Sequence, residues 1–310
     1  NEHMKKDEAY YNRKYSLAKA YNLMGNYAEA LPLIQEATSR LKTILGERHV
    51  DYGMFLNTLG NTFLGLNRVE DAISAFEKSN KVFIEQIDKI FRFSSEQEKK
   101  KFLNMITLNF ERLQSIAIEY DIKNDQLNTI NLNNQLMLKG LLLNSSKDIT
   151  IKLKKHNNEI INEEIQYYKY LKTMHARALT EYTEKSKRVA DSLSFLLNSK
   201  EAELVKRYDF NFEANNSLIK NWKSIQAALQ PNEVAVEFAH FRVLKSNKFT
   251  GATTYVAYVF NDNLEAPKMI SLFESSELKT LITKSSEEQL YRSDQLYNLV
   301  WKPLLPYVEG

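Results

Sequence analysis

Residues 17–30 read LAKAYNLMGNYAEA, and residues 59–72 read LGNTFLGLNRVEDA, with the same apolar skeleton forty-two positions later. Each copy has the apolar spacing of two amphipathic helices joined by a short turn. A helix pair of this size cannot bury its apolar face alone, so neighbouring copies must stack on one another. The repeat therefore predicts a helical solenoid, and the stack leaves a groove in which a partner can bind.

The composition favours the same class and excludes several others. Only 8 of the 310 residues are Gly and 5 are Pro, which favours long helices over a turn-rich β fold. The net charge of +3 is too small and too evenly spread to indicate nucleic-acid binding. No apolar run approaches the roughly 20 residues that a membrane span requires. The sequence contains no Cys, which excludes disulfides, thiolate metal sites and a cysteine nucleophile within it. We expect a cytoplasmic protein with no membrane partner.

The chain divides into four predicted segments that differ in pattern. Most of its length has helical periodicity, whereas Val234, Val236 and Phe238 alternate like a half-buried strand after a breaker at Pro231. Ser95 and Glu98 have the spacing of a capping box, which predicts the start of a helix. The segments are 1–92 (two repeats), 93–146 (further repeat-like helices), 147–228 (a long helical arm) and 229–310 (strands with short helices).

The two copies resemble the tetratricopeptide repeat. In that family small residues stand where the helices of a pair cross, and Gly25 and Asn67 fall at the turn within each pair, where a left-handed conformation is easiest. The period of 42 and the stretch from Ile44 to Gly60 are similar to the long form of the repeat found in kinesin light chains and many bacterial proteins. The small residues at the crossings are Ala18, Ala30, Ala37, Gly60, Ala72 and Ser79.

In such repeats the first helix of each pair lines a groove for a protein or peptide ligand. An asparagine amide suits this task because it can both donate to and accept from a peptide backbone. The competing interpretation makes Asn57 and Asn61 solvated positions of an amphipathic helix. If they line the groove, alanine at both should abolish partner binding without lowering the melting temperature. The resemblance places seven residues in the groove: Asn12, Tyr15, Lys19, Asn22, Asn57, Asn61 and Leu64.

The helical arm carries two patterns that other functions also use. Tyr167, Tyr168 and Tyr170 beside lysines would suit base stacking, but on a helix they spread over more than one face, so packing explains them better. The paired carboxylates Glu163–Glu164 and Glu287–Glu288 are typical of solvated helix surfaces. We therefore disfavour a nucleic-acid partner and an acid–base catalytic site, and the sequence predicts no metal and no cofactor.

A second resemblance begins at Trp222. Residues 222–238, WKSIQAALQPNEVAVEF, are similar to the entry to a CHAT domain, a caspase-like domain often found behind tetratricopeptide repeats. We predict that strands near 234–241 and 254–260 pair antiparallel and rest on helices from 275–308, with a further short strand at 269–273. The other segments that fit the order of that family are 134–143, 254–260, 269–273 and 295–306.

The CHAT resemblance implies catalytic residues that this chain does not supply. It implies a mixed α/β sheet continuing beyond Gly310, with a His and a Cys on strand-end loops acting as a proton acceptor and a thiolate nucleophile. His240 lies too early in the order of the family, so we interpret it as a strand-surface residue. No catalytic residue is assigned, and no activity is expected of this chain alone.

The predicted fold is therefore mainly α, with a tetratricopeptide-repeat solenoid and a long helical hairpin followed by a partial α/β caspase-like sheet. The predicted function is the protein-interaction and regulatory region of a repeat–CHAT protein, whose intact form would resemble a caspase-like cysteine peptidase controlled by partner binding. The rest of the CHAT domain is a further expected partner. The alternative is a non-catalytic scaffold or adaptor that binds peptides in the repeat groove.

Overall fold

The structure, a computed structural model, describes residues 2–145, 159–180, 183–207, 221–245, 247–284 and 294–308. The described chain is mainly helical and is followed by a small antiparallel sheet, which confirms the predicted fold class. None of the described helices is both long and apolar enough to cross a membrane. The chain forms two compact units, the first comprising Asn1–Glu85, Ile106–Met137 and Lys220–Gly310, and the second Gln86–Met105 and Leu138–Ile219.

The first six helices follow one another as three pairs, each with a left-handed residue after its first helix. These residues are Gly25 at φ 82°, Asn67 at φ 58° and Asp121 at φ 45°. The predicted turns at Gly25 and Asn67 are confirmed, and Asp121 gives the third pair the same type of turn. The helices are α1 Glu2–Met24, α2 Tyr27–Leu45, α3 Val50–Gly65, α4 Val69–Phe93, α5 Glu96–Glu119 and α6 Asp125–Ser145.

Small residues allow the repeat helices to approach closely, as the repeat pattern predicts. A Cβ placed on Gly60 would stand 2.8 Å from the ring of Phe76, so only glycine fits there without displacement. The Ser79 hydroxyl donates to the carbonyl of Gly53 at 2.7 Å, which satisfies a polar group inside the crossing. The predicted alanines at the crossings are all fully buried, namely Ala18, Ala30, Ala37 and Ala72.

A capping box starts α5. The Ser95 N–H donates to Glu98 Oε2 at 2.8 Å, and the Glu98 N–H donates to Ser95 Oγ at 3.3 Å. Two backbone donors that the helix itself cannot satisfy are thereby paired. The start predicted from the S-x-x-E spacing is confirmed.

The second unit contains a helical hairpin of α7 (Glu159–Thr180) and α8 (Glu184–Arg207). The Tyr168 hydroxyl donates to Glu201 across the hairpin at 3.3 Å. Glu164 is not simply a solvated acid, because it accepts from both Lys200 and Arg207 on the facing helix. The hairpin core consists of Ile161, Ile165, Tyr168 and Leu204.

The sequence interpretation of the hairpin tyrosines can be compared with the structure. Tyr168 is buried whereas Tyr167 and Tyr170 are exposed, so the three tyrosines occupy different faces as expected. The pair Glu287–Glu288 lies outside the described residues.

The sheet has the order β1-β2-β3, with both strand pairs antiparallel. In register, Val234 faces Asn261 and Tyr255 faces Phe273, which confirms the predicted pairing of the first two strands and the third short strand. The elements of this region are α9 Trp222–Gln226, β1 Val234–Lys245, β2 Lys248–Asn261, β3 Lys268–Glu274, α10 Ser275–Lys284, α11 Asp294–Val300, a 3₁₀ turn Lys302–Leu304 and α12 Leu305–Val308.

Apolar residues cover both faces of the central strand, and all of 256–260 is buried. On one face Ala257 and Val259 pack against Leu304, so the sheet rests on the C-terminal helical segment as predicted. On the other face Val256, Tyr258 and Phe260 pack against Trp222 of α9 and Leu132 of α6. The packing of α6 on the sheet was not predicted.

Candidate partner-binding surface of the repeats

The predicted groove residues lie on α1 and α3, the first helices of the first two pairs. We call their combined surface the first-helix surface. Four of its residues belong to α1 and three to α3, and the two sets have different surroundings. The α1 residues are Asn12, Tyr15, Lys19 and Asn22, and the α3 residues are Asn57, Asn61 and Leu64.

The α1 part of the first-helix surface combines residues that hold α1 on α3 with residues that face solvent. The Tyr15 ring stacks on Phe55 with centroids 4.2 Å apart, and the Asn22 amide donates to Thr62 Oγ1 at 2.9 Å. Lys19 is exposed, and Asn12 is half-buried. Asn12 and Lys19 therefore keep side-chain surface that an external ligand can reach.

The α3 part is engaged by other helices of the chain. The Asn57 amide donates to Asn109 of α5, and its oxygen accepts from Asn61 and from Arg112 Nη1, both at 3.3 Å. Leu64 is only 4% exposed and packs in a core with residues of α4 and α5. These residues contact the chain itself, so an open groove does not extend over Leu64.

An asparagine clamp, formed by the half-buried Asn57 and the buried Asn80 and Asn109, joins α3, α4 and α5. Asn109 is fully buried, and its amide nitrogen donates to Asn80 and to the carbonyl of Phe76. Sequence reasoning missed Asn109. The available signal was an amide on the apolar stripe of a helix, since the residues three, four and seven positions from Asn109 on that stripe are the buried Ile106, Leu113 and Phe102.

The turn between β1 and β2 docks on α3 and α5. Asn247, held at φ 61°, donates its amide to the carbonyl of Asn61 at 2.7 Å. The Leu244 N–H donates to Ser115 Oγ at 2.6 Å, and its fully buried side chain joins the core around Leu64. The chain's own β-hairpin thus lies where the sequence placed the second-repeat part of the groove.

Charged and aromatic groups fix the same hairpin at its sides. The Arg242 guanidinium binds Glu111 of α5, and this hydrogen bond raises the pKa of Arg242. The ring of Phe249 lies between two cations, 5.3 Å from the Arg112 guanidinium and 4.8 Å from that of Arg242. Burial, assisted by the charge of Arg242, lowers the pKa of Arg112 to about 10, so both arginines carry a proton at neutral pH.

His240 lies on the surface of β1, as the sequence predicts, with its ring 5.5 Å from that of Tyr255. Among the other histidines in the described chain, His49 caps α3 by accepting from the Asp51 N–H at 3.3 Å. Neither contact is that of a catalytic base with a nucleophile.

Comparison with known families supports the repeat assignment. Residues 10–83, which run from the middle of α1 through α2 and α3 into α4, match the tetratricopeptide repeat family model. The match ends before α5 and does not reach the sheet. A search of curated proteins found no match to this chain. The matched segment thus has the fold of a protein-interaction module.

Proposed function

We propose that this chain is the protein-interaction and regulatory region of a tetratricopeptide-repeat protein with a caspase-like CHAT domain. The observation that carries the proposal is the division of the first-helix surface between an open α1 part and an α3 part occupied by the β1–β2 hairpin. The CHAT part rests on the sequence resemblance of residues 222–306, together with strands at the positions where that resemblance expects them.

A partner peptide binds along α1 in this proposal. Asn12, Lys19 and Leu23 are spaced seven and four residues apart, so they follow one stripe of the helix. Leu23 is 75% exposed and Met24 is 71% exposed, which gives an apolar surface next to the Lys19 ammonium group. A peptide in which an acidic residue stands beside an apolar one is complementary to the Lys19 ammonium group and the neighbouring apolar surface.

The hairpin provides the route from the repeats to the sheet. A peptide that extends from α1 onto α3 meets the hairpin tip where Asn247 is bonded to Asn61. Displacement of that tip changes the contacts of β1 and β2. The peptide then binds with a different free energy when the tip is docked and when it is displaced, and this difference in binding free energy is the coupling that regulation requires. In an intact protein of the CHAT type, the sheet would be the element that responds to the partner.

The α1 site can be tested with peptides selected from a random library against the full chain. Affinity of a selected peptide is measured by fluorescence polarisation for the wild type, for Lys19→Glu, and for Lys78→Glu as a matched control on exposed α4 surface. Charge reversal at Lys19 is expected to weaken binding by about tenfold or more, since it replaces an attractive pair by a repulsive one. Equal affinities for the wild type and Lys19→Glu would exclude the α1 site.

The second candidate is a non-catalytic scaffold or adaptor, which the match of residues 10–83 to the tetratricopeptide repeat family favours. Hydrogen exchange on the full chain separates the two. If the peptide bound at α1 changes the protection of the β1–β2 hairpin, the regulatory proposal is supported. If protection changes on α1 alone, the repeats act as an adaptor without coupling to the sheet.

A further inference from the structure

A cleft of about 510 Å³ lies between α5 and the sheet, away from the α1 site. Its floor is apolar and buried, formed by Phe241, Leu244 and Phe273. This volume is within the range of pockets that hold small ligands. No contact proposed above for the repeats uses the opening of this cleft.

Both irregularities of the sheet occur at this cleft. The register of β1 with β2 shifts between Arg242 and Leu244, and that of β2 with β3 shifts between Tyr255 and Val256. These shifts skip Val243 on β1, residues 250–252 on β2 and Leu272 on β3, and of these Val243 and Leu272 line the cleft. β-Bulges redirect side chains and are common beside binding sites, so the two edge strands are shaped around the same space.

The buried hydroxyl groups that line the wall of the cleft already have hydrogen-bond partners, whereas the residues at its rim are charged. The hydroxyl of Ser115 is bonded to Leu244, and that of Thr254 donates to the carbonyl of Phe273 at 3.5 Å. Glu277 accepts from the Glu274 N–H at 2.9 Å, which fixes its carboxylate at the start of α10. The charged rim residues are Glu119, Glu274, Glu277 and Lys245, so acidic groups predominate.

We infer that this cleft binds a guanidinium or alkylammonium group carried on a short apolar stem. The stem lies on the floor formed by Phe241, Leu244 and Phe273, and the cation reaches the rim carboxylates of Glu274 and Glu277. An anionic ligand would meet three carboxylates against one ammonium group, and a purely apolar ligand would leave the rim charges unused. The ligand is either a free amine or the side chain of a basic residue in a peptide.

Calorimetric titration of the full chain with three probes tests this inference. Agmatine represents the free amine, N-acetyl-arginine amide represents the peptide side chain, and N-acetyl-norleucine amide has the apolar stem without the charge. At least one of the first two is expected to bind and the third is not. Which of the two binds more tightly identifies the source of the cation, and norleucine amide binding equally well would overturn the inference.

Variants of the rim locate the site. Glu274→Gln/Glu277→Gln keeps the side-chain oxygen that caps α10 and removes two charges, and we expect about tenfold weaker binding, since each exposed pair contributes a factor of about two to five. Glu265→Gln, an exposed residue on the β2–β3 turn, is the matched control and should bind as the wild type does. Unchanged affinity in the double variant, with the melting temperature also unchanged, would place the ligand elsewhere and refute the inference.

Discussion

Replacing Asn109 by alanine tests whether the asparagine clamp holds the repeats together. Asn109 is fully buried on α5 and is bonded to Asn57 on α3 and to Asn80 and the Phe76 carbonyl on α4. Alanine removes these interactions and leaves buried amide groups without their partner. Three hydrogen bonds at about 1 kcal/mol each give an expected loss of about 3 kcal/mol in the free energy of unfolding.

The two tryptophans allow this loss to be measured for the first unit alone. Trp222 and Trp301 both belong to that unit, so urea unfolding followed by tryptophan fluorescence reports on it. A loss of about 3 kcal/mol corresponds to a fall of roughly 6–12 °C in the melting temperature for a unit of this size. Gln126→Ala, which removes an exposed amide from α6 in the same unit, is the matched control and should change stability by less than about 0.5 kcal/mol.

A double-mutant cycle with Asn57→Ala separates the clamp from a general packing effect. If the two asparagines act through their mutual hydrogen bond, the double variant loses less than the sum of the single losses, by about 0.5–3 kcal/mol. The clamp is refuted if Asn109→Ala unfolds at the same urea concentration as Gln126→Ala. The same cycle also revises the test of the groove, because alanine at Asn57 is now expected to lower stability.

The remaining predictions concern a crossing glycine and a buried tyrosine. Gly60→Ala should lower the free energy of unfolding by about 1–3 kcal/mol, because the added Cβ meets the Phe76 ring. Gly251→Ala, with open space around the added Cβ, should change the free energy of unfolding little. Equal urea midpoints for the two variants would contradict this prediction. Burial raises the pKa of Tyr258 above its ordinary value, so the unfolded state loses this proton first as the pH rises. The free energy of unfolding should therefore fall above about pH 10. In Tyr258→Phe the fall between pH 8 and pH 11 should be smaller than in the wild type by about 1 kcal/mol, which urea midpoints at the two pH values measure.

Local signals were sufficient to predict most of the fold. The left-handed turns at Gly25 and Asn67, the capping box at Ser95 and the crossing at Gly60 each depend on residues close in sequence or on the repeat itself. The alternation of β1 and the apolar run of β2 similarly predicted an antiparallel pair with two covered faces. Periodicity and turn chemistry act within a few residues, which is why a single sequence reveals them.

The surroundings of the first-helix surface were harder to predict because they depend on distant contacts. Asn61 has the polar character of a groove residue, but its carbonyl is bound by Asn247, which is 186 residues away. The pattern around Asn61 is the same whether a partner or the chain's own hairpin lies against it. Arg112 and Asn109 are likewise defined by helices and strands that only the folded chain brings together.

The docked hairpin also limits the number of repeats that can lie between the two helices it contacts. Its tip is bonded to Asn61 on α3 and to Ser115 on α5, which are consecutive first helices. Solenoids ordinarily gain or lose repeats by duplication, because each repeat contacts only its neighbours. An extra helix pair inserted after α4 would separate the two attachment points by about the width of a helix, 8–10 Å. If the hairpin is to keep both contacts, repeats can be added before α3 but not between α3 and α5.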